Sequence, residues 1–293
     1  MRRPARAAFL VVLVALVVVA IAVAPYAGGA SPPGVRVRVL RLVDRSREAH
    51  FRNGTTAPRT LLTSVRYPEG VSGPLPLIVF AHGFALAPGA YASLLGTWAR
   101  AGYVVASPTF PVEGAGAPGG PSESDLVNEP GDLRYVISRL TASSSPVRRL
   151  VDPSKIAVAG QSDGAEAALA AAYDPRYRDR RIDAAIILSG APFPGFTGAP
   201  HGSPPLLAVQ GTSDPLNRPD VTASYFRLMR RPKFLLWLLG ATHLPPYTTD
   251  DRWSPEVDRV TLAFLDGYLR GGAIGPLVVA GTRPGVARMV SRP

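Results

Sequence analysis

Ser162 lies in Gly160-Gln161-Ser162-Asp163-Gly164, a G-x-S-x-G pattern that closes the apolar run Ile156–Ala159. Gly160 and Gly164 lack a Cβ, so a strand and a following helix can approach closely around a serine held at a sharp turn. Such a hydroxyl is exposed, yet it is a weak nucleophile until a base takes its proton. The base should be a histidine, held in one tautomer by a carboxylate. Two histidines follow Ser162. His243 comes directly after the apolar run Phe234–Leu239, which puts its ring at the sheet edge where Ser162 sits. His201 lies in a Gly/Pro-rich stretch, where it could line a pocket. Among the acids, Asp214 follows the run Leu206–Gln210 in Gly211-Thr212-Ser213-Asp214-Pro215 and is the candidate partner. Asp183 opens a run at the wrong end of the sheet, and Asp220 suits a helix cap. An oxyanion formed at such a serine needs two backbone N–H donors. Asp163, after the nucleophile, supplies one. Phe84, in His82-Gly83-Phe84, supplies the other, and His82 is then a buried loop anchor. The Asp163 side chain should turn away from the hole, favoured at a helix start by the helix dipole.

The elements that must position these residues alternate. Val35–Leu42 mixes apolar and basic residues as an exposed edge strand would, and Thr60–Tyr67 reads as a second strand. Leu75–Ala81 is a continuous apolar run, the signature of a strand buried on both faces. A helix at 90–101 and a strand at Tyr103–Ser107 follow. Residues 111–131 read as a long surface loop, and Leu133–Leu140 as the core of a helix. Ile156–Ala159 is the strand before Ser162, and Ala165–Tyr173 the helix after it. Strands at Ala184–Leu188, Leu206–Gln210 and Phe234–Leu239 complete the alternation, with a helix at Val221–Met229 and a Gly/Pro/Phe-rich excursion at 190–205. Phe193 and Phe196, with the 111–131 loop, are expected to shape the pocket. The last helix starts with Ser254 as N-cap and Pro255 at its first position. Residues 271–293 form a tail with no assigned structure. Alternating strands and helices predict an α/β fold, a mostly parallel central sheet with helices on both faces.

The chain has 293 residues, enough for one large domain, assigned to 35–293. It has no cysteine, which excludes disulfides, thiolate metal sites and a cysteine nucleophile. The net charge is +11, almost all from arginine, since lysine occurs only at Lys155 and Lys233. No basic run with interleaved aromatics accompanies it, so no nucleic-acid partner is expected. No metal cluster, phosphate-binding glycine loop or dinucleotide fingerprint is apparent in the sequence, and no cofactor or metal is expected. At the N-terminus, Arg2, Arg3 and Arg6 precede an unbroken apolar stretch, Ala7–Ala24. A charged region before an apolar one reads as an export signal or a retained anchor over residues 1–30. Either places the remainder outside the cytoplasmic membrane, secreted or tethered, and membrane association would run through this segment.

His82-Gly83-Phe84, the Ser162 pentapeptide, Asp214 and His243 together resemble the α/β-hydrolase superfamily over roughly residues 60–270. Within it the chain is most similar to dienelactone-hydrolase-like and cutinase-like bacterial esterases and polyesterases, with a serine where dienelactone hydrolases proper use cysteine. The resemblance implies the α/β-hydrolase fold and the order serine, acid, histidine. The reading is a carboxylic-ester hydrolase with a Ser-His-Asp triad, an acyl-enzyme intermediate and a small or lipid-like ester substrate. An envelope acyltransferase with the same triad, a peptidase, and a non-catalytic binding module on the same fold are the alternatives.

Overall fold

A computed structural model describes residues 33–293, and Pro33–Pro293 cluster as one compact unit. The expected signal or anchor segment lies outside the described residues. Nine strands form one sheet in the order β1-β2-β4-β3-β5-β6-β7-β8-β9. In chain order the elements are β1 (Val35–His50), β2 (Thr56–Pro68), β3 (Leu75–Ala81), α1 (Ala92–Arg100), β4 (Val104–Thr109), α2 (Glu129–Thr141), β5 (Val151–Gln161), α3 (Asp163–Tyr173), β6 (Ala184–Leu188), β7 (Leu206–Gly211), α4 (Pro219–Leu228), β8 (Lys233–Leu238), α5 (Pro245–Thr248), α6 (Ser254–Arg270), α7 (Gly275–Ala280) and β9 (Ala287–Arg292). Strands β4, β3, β5, β6, β7 and β8 are mutually parallel. The antiparallel pair β1–β2 flanks them on one side and antiparallel β9 on the other.

Period-two alternation splits each central strand between two cores. Leu77, Val79, Ala81 and Val158 pack toward α2, α3 and α4. Ile78, Phe80, Ala157 and Ala159 pack toward α1, α6 and α7, around Trp98 and Phe264. Helix α3 carries alanine at positions 165, 167, 168, 170, 171 and 172, all buried. A helix apolar all round is a buried helix, and its small residues let it sit close on the sheet.

The chain steps from β3 outward to β4 and then returns past β3 to β5, so the winding direction reverses between β3 and β5. In open α/β sheets the crevice beyond the carboxyl ends of the strands at such a reversal is where ligands bind. The loop after β3 carries Phe84, and the turn after β5 carries Ser162.

Four sequence expectations change. Residues 111–131 are not a surface loop: they hold a 3-10 turn at Glu123–Asn128 and the start of α2, and Glu113, Asp125 and Glu129 are buried. The cause is Arg59, a fully buried guanidinium on β2 that hydrogen-bonds Asp125 and Asp132 through four contacts of 2.6–2.9 Å and draws the segment inward. Ser254 is the first residue of α6, not its N-cap. Asp251 instead accepts hydrogen bonds from the amides of Trp253 and Ser254. Asp220 sits inside the first turn of α4, paired with Arg218, and is not its cap. The 271–293 tail forms α7 and β9, which covers the free edge of β8. Among the described residues no helix is long and apolar enough to cross a membrane.

Candidate active site

The turn after β5 is tight because its glycines leave no alternative. A Cβ on Gly160 would lie 2.1 Å from the Gly164 carbonyl oxygen, and one on Gly164 would lie 2.4 Å from the carbonyl oxygens of Ala81 and His82. Both distances are far inside contact, so any side chain would push α3 off the sheet. Ser162 sits at this bend with φ 56° and ψ −127°. A non-glycine residue at positive φ is strained and persists only where its surroundings over-determine it. Here the Ser162 amide donates to the Leu188 carbonyl at the end of β6, and the Ser162 carbonyl starts α3 by accepting from Ala165 and Glu166.

The structure brings Ser162, His243 and Asp214 together. Ser162 Oγ is 2.9 Å from His243 Nε2, and His243 Nδ1 is 2.8 Å from Asp214 Oδ2. Because Asp214 faces Nδ1, that nitrogen carries the proton and Nε2 is the acceptor, shared between Ser162 Oγ and Gln161 Nε2 at 3.2 Å. The Asp163 carboxylate does not turn away as expected: its Oδ1 is a second acceptor for the Ser162 hydroxyl, at 3.3 Å. Burial alone would raise the Asp214 carboxyl. The hydrogen bond from His243 and the amides of Asn217 and Leu216 outweigh it and hold the group below its usual value. The loops bearing acid and base are joined: Ser213 N–H donates to Ala241 O at 3.0 Å, and Gly240 N–H donates to Thr212 Oγ1 at 2.8 Å.

The loop after β3 closes against the same turn. A Cβ on Gly83 would lie 2.7 Å from Gln161 Oε1 and 3.1 Å from Ser162 Cβ. Among the described residues, neither the Phe84 nor the Asp163 amide has a hydrogen-bond acceptor. Both flank Ser162, and Asp163 is the first residue of α3, at the positive end of its dipole. His82 is fully buried. Its Nε2 accepts the Phe110 amide at 3.0 Å, so Nδ1 holds the proton and donates to Gly83 O at 2.9 Å. Burial pushes this imidazole down to about 4, which keeps it neutral as a loop anchor.

Sequence reasoning overlooked Gln161 and Tyr91. The Gly83 amide donates to the Tyr91 hydroxyl at 3.1 Å, and that hydroxyl donates to Gln161 Oε1 at 2.7 Å. Gln161 Nε2 then faces His243, donating to its carbonyl oxygen at 3.3 Å. One side chain thus ties the loop of Phe84 to the loop of His243. The signal was present as the first variable position of G-x-S-x-G, which faces inward when the serine faces out. Gln210 and Asn217 likewise form a buried amide pair behind Asp214.

A cavity of about 400 Å³ opens over Ser162. Phe84, Leu86, Leu216 and Leu244 give it apolar walls, while Glu123, Asp163 and Glu166 gather at one side. The 111–131 segment reaches the cavity through Glu123, and the excursion after β6 reaches it only through its start, at Ser189 and Ala191. Phe193 is instead buried in the core, 5.1 Å from the Tyr177 ring, and Phe196 packs on that core. His201 is exposed and does not line the cavity.

A parallel sheet of this winding, with a serine at the turn after its central strand, defines an α/β-hydrolase. The chain belongs to the Chlorophyllase family: the family model described as "Chlorophyllase" matches residues 40–222. It is accordingly a serine hydrolase of the carboxylesterase type, EC 3.1.1.-. The matched span includes Ser162 and Asp214 and ends before His243. Among curated proteins no match to the chain was found.

Proposed function

We propose that the protein hydrolyses carboxylic esters through an acyl-enzyme formed on Ser162. The carrying observation is the unbroken relay from Ser162 Oγ to His243 Nε2 at 2.9 Å and from His243 Nδ1 to Asp214 Oδ2 at 2.8 Å. In this reading His243 takes the hydroxyl proton as Ser162 attacks the ester carbonyl. Asp214 stabilises the imidazolium and keeps the ring oriented. The carbonyl oxygen becomes an oxyanion and accepts from the amides of Phe84 and Asp163, donors fixed before the reaction begins. The tetrahedral species collapses, the alcohol leaves with the proton from His243, and the acyl group stays on Ser162. Water then attacks the acyl-enzyme, with His243 again as base, and releases the acid.

A cavity of about 400 Å³ with apolar walls suits a short to medium acyl chain. Replacing Ser162 by alanine should lower kcat for a short-chain chromogenic ester by about 10⁴-fold or more, with the melting midpoint preserved. Retention of activity in that variant overturns the reading. The same proposal places the domain outside the cytoplasmic membrane, supported by Arg2, Arg3 and Arg6 ahead of the apolar stretch Ala7–Ala24.

A further inference from the structure

Several arginines of the chain are matched to acids: Arg47, Arg59, Arg176, Arg181 and Arg283 each reach a carboxylate. A cleft of about 940 Å³ departs from this pattern. Arg227, Arg230, Arg231, Lys233 and Arg292 line it, and no carboxylate does. Among the described residues none of these five cations forms an ion pair. They converge from the last turn of α4, the link into β8, the first residue of β8 and the last of β9. Lys233 and Arg292 are direct partners across the β8–β9 pair, where like charges oppose each other. Burial lowers the Lys233 ammonium, and the charges of Arg231 and Arg292 lower it further. Such a cluster repels itself until an anion enters it.

The cleft is also arranged to admit an anion. The C-terminal end of α4 is the negative end of its dipole and would oppose one. Lys233 Nζ covers that end, donating to the carbonyl oxygens of Phe226 at 2.7 Å, Arg227 at 3.2 Å and Met229 at 2.6 Å. Arg230 Nε donates to Ala199 O at 3.1 Å, which ties the 197–200 wall to the link before β8 and holds the guanidinium in place. The Arg227, Arg231 and Arg292 side chains are exposed. A guanidinium fork matches two oxygens of one phosphoryl group. Five cations call for more than one negative charge on the ligand. No aromatic ring lines the cleft, so it offers no platform on which nucleic-acid bases could stack.

We propose that this cleft is a ligand site separate from Ser162, binding an anion that carries two or more phosphoryl groups, with Arg227, Arg230, Arg231 and Arg292 as its contacts and Lys233 beneath them. Soluble oligophosphates and two-phosphate lipid headgroups share this chemistry. Strand β8 runs from Lys233 at the cleft to Leu238, about 20 Å further on, before the loop of His243. A ligand in the cleft therefore leaves the serine open, and the site does not depend on the ester chemistry.

The test is calorimetric titration of the full chain in nonionic detergent, near pH 7 and at about 50 mM salt, where phosphate contacts are weakly screened. Three probes are used: inorganic phosphate, tripolyphosphate and bis(glycerophospho)glycerol, the deacylated headgroup of a two-phosphate lipid. Tripolyphosphate should bind about tenfold or more tightly than phosphate. R227Q/R231Q should weaken tripolyphosphate binding about tenfold or more, and R292Q should weaken it in the same direction. R45Q/R139Q removes the same charge from exposed arginines elsewhere and should change binding less than about twofold. Should R227Q/R231Q be destabilised, by its melting midpoint, R292Q decides. Binding of tripolyphosphate alone assigns a soluble ligand, and binding of the headgroup at comparable strength assigns a lipid; both uphold the site. Three results overturn it: no saturable binding of either multiply charged probe up to about 1 mM, phosphate binding as tightly as tripolyphosphate, or equal losses in R45Q/R139Q and R227Q/R231Q. The last would mean that net charge alone attracts the anion.

Discussion

Asp214 shows how much one atom's chemistry matters in this site. Its Oδ1 accepts two backbone amides and its Oδ2 faces His243 Nδ1. In an Asp214→Asn variant the side-chain oxygen would keep the two amides, leaving its NH₂ against Nδ1. The imidazole proton would then move to Nε2, where it faces Ser162 Oγ and blocks proton abstraction. We expect kcat/KM for a short-chain ester to fall about 10⁴-fold with the fold intact. A loss under about tenfold would show that Asp214 does not set the tautomer. The residues of this relay were legible in the sequence because each follows an apolar run at a loop. Tyr91 was not, and Gln161 was legible only as a motif position that faces inward. The bond between them joins residues 70 apart, and no spacing in the chain encodes it.

At the scale of elements, the central strands and most helices were readable from period-two runs and their flanking turns. β5 extends further than its apolar core because its first half, through Ser154 and Lys155, is polar and lies beyond the packed region. The misread segment is 111–131, whose Gly, Pro and acidic residues imitate a solvated loop. It folds inward because Arg59 sits on β2, fully buried, and Asp125 and Asp132 must come to it. Arg59→Met keeps the volume and removes the charge, leaving buried Asp125 without a cation and buried Asp132 with Arg47 alone. Such a loss typically costs about 3–5 kcal/mol. Denaturant unfolding should register it, and Glu123 should move at the cavity wall, raising KM. A variant as stable as wild type would mean that the segment is held by packing alone.

For the whole molecule, charge is segregated rather than uniform. The cavity over Ser162 has acids along one side, while Arg227, Arg230, Arg231, Lys233 and Arg292 line a cleft at the opposite end of the sheet. The buried acids give stability an uncommon pH dependence. Glu113 and Glu166, raised to about 8, and Glu129, raised well above its ordinary 4.5, hold protons in the folded state that the unfolded chain releases. For Glu113 and Glu166 the contribution is fully present below about pH 4.5 and is lost as pH rises through about 8, at up to about 1.4 kcal/mol per pH unit for each group, and Glu129 contributes with the same sign. Asp214, Asp44 and Asp179 have the opposite sign, and their contribution is lost as pH falls below 3.8. The melting midpoint should therefore peak on the acid side of neutrality and decline toward pH 8, and Glu129→Gln should flatten that decline. A midpoint level from pH 5 to pH 8 contradicts the assignment.

Strand β1 pairs with β2 along one side only, and it stands at the margin of the sheet. Val37 and Val39 are more than half exposed there, between exposed Arg36, Arg38 and Arg41. A bare valine edge of this length would be a template for the same strand of another molecule, the first step toward fibrillar aggregates. The arginines set guanidinium against guanidinium in any such pairing. Part of the chain's abundant arginine thus sits where it would oppose self-pairing: an edge of the same valines without the charges would be the more open template for assembly.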